Sequence, residues 1–127
     1  MTVAENVDLP LSYLGLPGAE RRDRVAEALD RFGLSDVAKK HPSQLSGGHQ
    51  QRVVVARAVV GRPDVLLADE PTGNLNSEQA VKVVNMLSEL NAAGSTICLV
   101  SHDPRWSEVC QRNVKLFDGT IVEADFA

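Results

Sequence analysis

The sequence lacks several features that would assign it to a broad class of protein. It has no apolar run of about 18 residues, the length that a helix needs to cross a bilayer. We therefore expect any membrane contact to pass through a partner protein. It has no basic block and no interleaving of basic with aromatic residues, and its formal net charge is −4. The sequence thus predicts no nucleic-acid partner.

Cysteine is scarce, and its placement predicts neither a metal site nor a disulfide framework. The two cysteines, Cys98 and Cys110, follow no spacing typical of a metal or redox site. We expect both to be reduced in a cytosolic setting. Cys98 lies in an apolar run, which predicts a buried thiol.

The pattern of apolar residues predicts one α/β domain in the 127 residues. Thr2 and Glu5 form a capping-box pattern, and Pro10 is expected to end the first helix near Leu9. Ser77 is the predicted cap of a later helix. Strands alternating with helices indicate a mainly parallel sheet with an antiparallel hairpin at one edge. The predicted helices cover about 2–9, 19–32, 35–40, 46–61, 77–93 and 104–110, and the strands cover 65–68, 96–100, 114–117 and 120–122.

A phosphate site is predicted where Ser46, Gly47 and Gly48 open a helix. Serine is a preferred N-cap, and the first backbone N–H groups of a helix have no partner within it. These groups lie at the positive end of the helix dipole, and glycines let an anion approach closely. The β-branched run Val53-Val54-Val55 would suit a strand, but the cap and the length to Gly61 favour a helix.

Two adjacent acids follow the apolar run Val65 to Ala68. A strand that delivers Asp69 and Glu70 to its carboxyl end places them where open α/β sheets bind ligands. One acid can hold a hydrated magnesium ion, and the other can orient or deprotonate a water.

These two motifs, with two more downstream, resemble those of the ATPase subunits of ABC transporters. Leu45-Ser46-Gly47-Gly48-His49 is similar to the signature motif, and Val65 to Glu70 is similar to the Walker B strand. Gly73-Asn74-Leu75-Asn76 resembles the D-loop, and Ser101-His102-Asp103 resembles the switch-histidine loop. The run from Ala68 to Leu75 is most similar to the branch that handles lipoprotein release and macrolide or peptide export.

The resemblance implies a partial P-loop NTPase fold and an ATPase that uses ATP and Mg²⁺. It implies that Asp69 binds magnesium, that Glu70 acts on the attacking water, and that His102 reaches the γ-phosphate. It implies a second ATPase protomer, because the family's sites form between two facing domains. The nucleotide-binding residues across that interface would be Ser46, Gly47, Gly48, His49, Asn74 and Asn76.

Two positions depart from the family pattern. His49 stands where the signature motif normally has glutamine, which would complete a capping box with Ser46 better than histidine does. Asn76 stands where the D-loop normally has aspartate, a charge that helps to couple the two sites. Neither change removes the phosphate-binding groups, but both predict slower hydrolysis.

The resemblance also implies a domain layout. Residues 1–44 correspond to part of the helical subdomain, which in the family faces transmembrane permease subunits, and 45–127 correspond to part of the catalytic core. The sequence contains no Gly-x-x-x-x-Gly-Lys-[Ser/Thr] loop and no glutamine loop. We therefore expect an incomplete cassette that is inactive alone, and a location peripheral to the cytoplasmic membrane through partner subunits.

Two other classes of function compete with this interpretation. The first is a non-catalytic interaction module that pairs with an ATPase or with itself, because an open strand edge and apolar faces drive association. This predicts a homo-oligomer in isolation. The second is a DNA-repair or chromosome-organising ATPase, against which the acidic balance and the absence of a coiled-coil segment argue. Salt-sensitive DNA binding would distinguish that class.

Overall fold

The computed structural model describes residues 1–125. Its four helices and four strands are α1 (Val3–Tyr13), α2 (Gly18–Arg31), α3 (Gly47–Val59), β1 (Val65–Asp69), α4 (Ser77–Ala92), β2 (Thr96–Val100), β3 (Asn113–Phe117) and β4 (Thr120–Asp125). Short 3₁₀ helices cover Ser35–Val37, Pro42–Gln44 and Pro104–Glu108. The buried side chains of α1, α2, α3, β1 and α4 form one contiguous core.

Helix α1 begins as predicted but continues past Pro10. Thr2 and Glu5 form the expected capping box. The helix ends at Tyr13 rather than near Leu9, so the predicted end is wrong. Proline removes one helical hydrogen bond, but Val7 and Leu11, on the buried face of α1, are fully buried in the core. Burial of this face offsets the local cost and carries the helix one more turn.

Strands β1 and β2 pair in parallel, with Leu66 opposite Ile97 and Ala68 opposite Leu99. These four side chains share one face and pack against the helical core. The other face is uncovered within residues 1–125: Leu67 is 81% exposed, and the thiol of Cys98 is exposed beside it. The prediction of a buried Cys98 is therefore wrong, because successive residues of a strand alternate between faces.

The C-terminal hairpin has the predicted turn. Asp118 and Gly119 both have positive φ, at 48° and 72°, which is the requirement of a type I′ turn. Strands β3 and β4 form their own antiparallel sheet, separate from the β1–β2 pair. The expectation that the hairpin lies at one edge of the parallel sheet is therefore wrong for the described residues.

We predict that Leu11→Ala lowers the free energy of unfolding by about 2–5 kcal/mol, the usual cost of truncating a buried leucine. Leu11 is fully buried on the inner face of α1. Tyr13→Ala, two residues on, is the matched control, because Tyr13 is 81% exposed. It should change stability by less than about 0.5 kcal/mol. Urea denaturation of both variants measures the difference, and equal losses would contradict the packing.

Candidate functional site

Helix α3 starts at the predicted residue. Ser46 has extended backbone angles, and its Oγ accepts a hydrogen bond from the His49 N–H at 3.3 Å. The ring Nδ1 of His49 lies 2.8 Å from the same Oγ. The hydroxyl hydrogen of Ser46 can donate to this nitrogen in the neutral tautomer that carries its proton on Nε2. His49 thus contacts the capping side chain instead of the Ser46 backbone N–H that a capping-box glutamine would reach.

The fold of the chain does not require glycine at the two positions that begin α3, Gly47 and Gly48. Neither has a positive φ. A Cβ at Gly47 or Gly48 would lie no closer than 3.6 Å to the side chains of Leu75 or Gln79, which is ordinary contact. Packing within the chain therefore does not require glycine at either position. Each glycine nevertheless costs the helix about 1 kcal/mol relative to alanine. Ser46 and Gly47 are exposed, so these backbone N–H groups can meet a ligand from outside.

The cavity beside the helix start has no acidic residue in its lining. This cavity of about 130 Å³ lies between α3 and α4. Its lining includes His49, Arg52 and Lys82, together with Gln79, and no acidic residue. Lys82 also pairs with Glu78 at 3.1 Å on the exposed side of α4. The local charge therefore favours an anion.

Glu70 follows β1 in a conformation that is uncommon for a glutamate. Its φ is +47°, in the left-handed region that side chains with a Cβ visit rarely. Its backbone N–H donates to the Val100 carbonyl at 2.8 Å, which extends the contact between the strands beyond the end of β1. This bond ties the acid to the end of β2.

His102 follows β2 and lies beside Glu70. The backbone N–H of His102 donates to Glu70 Oε1 at 3.1 Å, and His102 Nε2 lies 3.4 Å from the same oxygen. The histidine side chain is fully exposed and that of Glu70 is 39% exposed. The structure thus brings together the two residues that the sequence singled out for chemistry, with both open to a ligand.

Asp69 is exposed at the end of β1. Within residues 1–125 no group of three or more His, Cys, Asp and Glu side chains could enclose a metal ion. Mg²⁺ commonly takes one or two carboxylates and completes its shell with water and phosphate oxygens. A single exposed carboxylate fits that kind of site and does not fit a cage made by the protein alone.

The D-loop residues have different environments. The side chain of Asn76 accepts the Gln79 N–H at 2.8 Å and caps α4. The predicted cap, Ser77, is instead the first helical residue. Asn74 is exposed. The proposed nucleotide-interface roles of Asn74 and Asn76 stay predictions, and Asn76 has an internal role that the sequence analysis missed.

A second missed feature is a buried contact between the two segments that follow the strands. The indole N–H of Trp106 donates to Thr72 Oγ1 at 3.2 Å. Trp106 is the only tryptophan in the sequence, and its isolated position in a polar segment was the available signal. No local spacing connects it with Thr72, 34 residues earlier.

The solved structures define the class of fold. Two structures of the cassette MJ0796 cover 98% of this chain, with TM-scores of 0.82 and 0.81 at 39% and 38% sequence identity, and the chain covers 56% of each. One is described as the dimeric structure of a bacterial ABC transporter cassette. The other is described as a dimeric post-hydrolysis state bound to ADP and Pi. The fold is that of an ATP-binding cassette, as predicted.

The sequence comparisons assign the family. The ABC transporter profile matches residues 1–73. Macrolide export ATP-binding/permease proteins MacB from Burkholderia pseudomallei (strain K96243) and Psychrobacter arcticus (strain DSM 17307 / VKM B-2377 / 273-4) are 48% and 44% identical over 122 and 126 residues. The matches cover 96% and 99% of this chain, which spans only 19% of each relative. The chain belongs to the ABC transporter family. No helix of residues 1–125 has the length and apolar character to cross a bilayer.

We predict that Asn76→Ala lowers the free energy of unfolding by about 1 kcal/mol, because α4 loses its cap. Asn76→Asp should retain the wild-type value within a few tenths of a kcal/mol, since aspartate caps equally well and its charge suits a helix N-terminus. Asn74→Ala, at an exposed position of the same loop, is the control. Denaturant titration tests the series. A similar loss in the Ala and Asp variants of Asn76 would show that capping is not its contribution.

Proposed function

We propose that this chain forms part of the ATP-hydrolysing site of an ABC transporter. The observation that carries the proposal is the 3.4 Å approach of His102 Nε2 to Glu70 Oε1 at the carboxyl ends of two paired strands. Ligands of open α/β sheets bind at this end of the strands. A carboxylate and an imidazole held side by side, both exposed, can act together on a water and a phosphate.

The site residues divide the work of phosphoryl transfer. Glu70 orients the attacking water and accepts its proton, while His102 positions the water against the γ-phosphate. Asp69 holds the hydrated Mg²⁺ that accompanies ATP. When bound, that ion neutralises charge on the phosphate oxygens.

The start of α3 serves a nucleotide held mainly by a second protomer. The Ser46 hydroxyl and the backbone N–H groups of Gly47 and Gly48 donate to its γ-phosphate, and His49 lies beside them. Asn74 and Asn76 lie at the same interface. Two observations support this arrangement: the fold does not require glycine at either position, and no acidic residue lines the adjacent cavity. Both solved cassettes are dimeric, which supports it independently.

The remaining phosphate contacts must come from residues outside these 127. The sequence has no Gly-x-x-x-x-Gly-Lys-[Ser/Thr] loop, whose amides and lysine hold most of the triphosphate charge. We therefore propose that the chain alone does not hydrolyse ATP. In a complete assembly, 1–44 face transmembrane permease subunits at the cytoplasmic membrane. The transported substrate is an exported one, as the names of the MacB relatives indicate.

Hydrolysis should need a partner segment and should depend on Glu70 and His102. We predict no turnover above background for the chain alone. Combined with a cassette segment that carries the phosphate-binding loop, it should approach about 1 s⁻¹, an ordinary enzymatic rate. Glu70→Gln and His102→Ala should each lower kcat about 10²–10⁴-fold, as expected for lost acid–base or positioning groups.

The control is Glu20→Gln, which removes an exposed acid of α2 that pairs with Arg24 four residues on. It should leave the rate unchanged. A phosphate-release assay measures the rate of the chain alone and of the assemblies that contain the unaltered chain, each site variant and the control variant. Activity of the chain alone at the assembly's rate, or full activity in both site variants, would refute the assigned roles.

A second candidate function, a self-associating interaction module, is favoured by the uncovered face of the parallel sheet. Leu67 is 81% exposed there, and Val65 and Val100 are each 53% exposed. Parallel sheets are almost always covered on both faces, and contiguous apolar patches mark interaction sites. Both edges of the two-stranded sheet are also open within the described residues.

We predict that the isolated chain forms a dimer or larger assembly at micromolar concentration. Leu67→Lys should shift it toward the monomer, because the charge would be buried in the contact. Lys115→Gln, at an exposed position of β3, is the control and should leave the assembly intact. Light scattering coupled to size exclusion gives the masses. A monomeric wild-type chain would contradict this candidate function.

A further inference from the structure

The segments that follow β1 and β2 are joined by one buried hydrogen bond. Trp106, in the 3₁₀ helix Pro104–Glu108, is 7% exposed, and its indole N–H donates to Thr72 Oγ1 at 3.2 Å. Thr72, two residues after Glu70, is 8% exposed and is the one buried polar residue of the described range. Trp106 comes four residues after His102. The bond therefore connects the two segments that carry the proposed catalytic pair.

The tryptophan ring also anchors both segments to α4. It forms a small apolar cluster with Ala80 and Val84 of that helix, against which Leu75 and Leu99 pack. Leu75 belongs to the loop after Glu70, and Leu99 belongs to β2. Because α4 is a rigid helix, this cluster holds the loop after β1 and the segment after β2 in place against it.

Asp103, the residue after His102, is held by Arg105, which in turn contacts Trp106. Asp103 accepts hydrogen bonds from the Arg105 backbone N–H at 3.0 Å and from the guanidinium at 2.6–3.1 Å. These bonds hold the pKa of Asp103 below its usual range. The Arg105 guanidinium lies 4.6 Å from the centroid of the Trp106 ring. Side-chain contacts thus order the whole segment from Asp103 to Trp106.

His102 itself has little other support. Its side chain is fully exposed, so packing does not fix its position. Both its backbone N–H and its ring contact the Glu70 carboxylate, and Glu70 has a strained left-handed backbone. The pair therefore depends on the segments around it to stay in contact.

We propose that Trp106, through its hydrogen bond to Thr72, is a positioning residue that holds His102 against Glu70. The effect on the pair concerns the structure of this chain alone, and the effect on catalysis rests on the proposed function. Trp106 is not itself a reacting group. The pairing of β1 with β2 brings the segments of Glu70 and His102 to one edge, and Trp106 holds these segments together over α4.

Two single variants and their combination test the proposal in the isolated chain. Trp106→Phe removes the donor and keeps an aromatic ring, and Thr72→Val removes the acceptor at nearly constant shape. Each should accelerate hydrogen exchange of the His102 amide about five- to tenfold and shift its ¹H–¹⁵N resonance, because the loss of a buried hydrogen bond changes populations by about that factor. Asp8→Asn, which removes the charge and one acceptor oxygen from the remote pair with Arg21 that joins α1 to α2, should leave this amide unchanged.

The double variant separates positioning from simple stability. With donor and acceptor both replaced by apolar groups, no polar group stays buried without a partner, so the melting temperature should recover part of the loss. Exchange at His102 should stay as fast as in the single variants, since the link is still absent. Wild-type exchange rates in both single variants would overturn the proposal, as would recovery of His102 protection together with stability.

The catalytic consequence is tested in the assembly with the phosphate-binding segment. Thr72→Val should lower kcat about tenfold with an unchanged KM for ATP, because neither Thr72 nor Trp106 is among the residues proposed to contact the nucleotide. An unchanged kcat would refute the catalytic part. If the unaltered assembly shows no turnover, the proposed function fails, while the exchange measurements still decide whether Trp106 positions the pair.

Discussion

The parallel pairing of β1 with β2 is the constraint on which the rest of the site depends. Both strands end at the same edge, and the Glu70 N–H donates to the Val100 carbonyl at 2.8 Å just beyond the last paired residues. Since α4 lies between the strands in sequence and packs under them, the loops after both strands rest on one helix. Glu70 and His102 meet because the sheet directs both chain segments to one place. Their proximity follows from topology and needs no contact between neighbours in sequence.

Local patterns in the sequence predicted the local structure well. The cap at Ser46, the span of β2 and the turn at Asp118 each depend on a few adjacent residues, and all three are confirmed. The resemblance of the motifs to ABC transporter ATPases is confirmed by the family assignment and by the cassette fold. The catalytic roles of Glu70 and His102 stay predictions, because their proximity is a matter of geometry and their part in hydrolysis is tested only by activity.

What the sequence could not predict depends on tertiary contacts. Pro10 does not end α1 because the face of that helix is buried, and Cys98 is exposed because one face of the sheet is uncovered within residues 1–125. The hydrogen bond from Trp106 to Thr72 joins residues 34 positions apart, and no periodic pattern in the sequence indicates such a contact.

The most direct test of this account is the scalar coupling across the hydrogen bond from the Glu70 amide nitrogen to the Val100 carbonyl carbon, measured by NMR on the labelled chain. The account predicts a resolved coupling together with slow exchange of the Glu70 amide, because this bond fixes the acid at the end of the sheet. The absence of a coupling, with an amide that exchanges at the rate of an unstructured peptide, would contradict the placement of Glu70 beside His102.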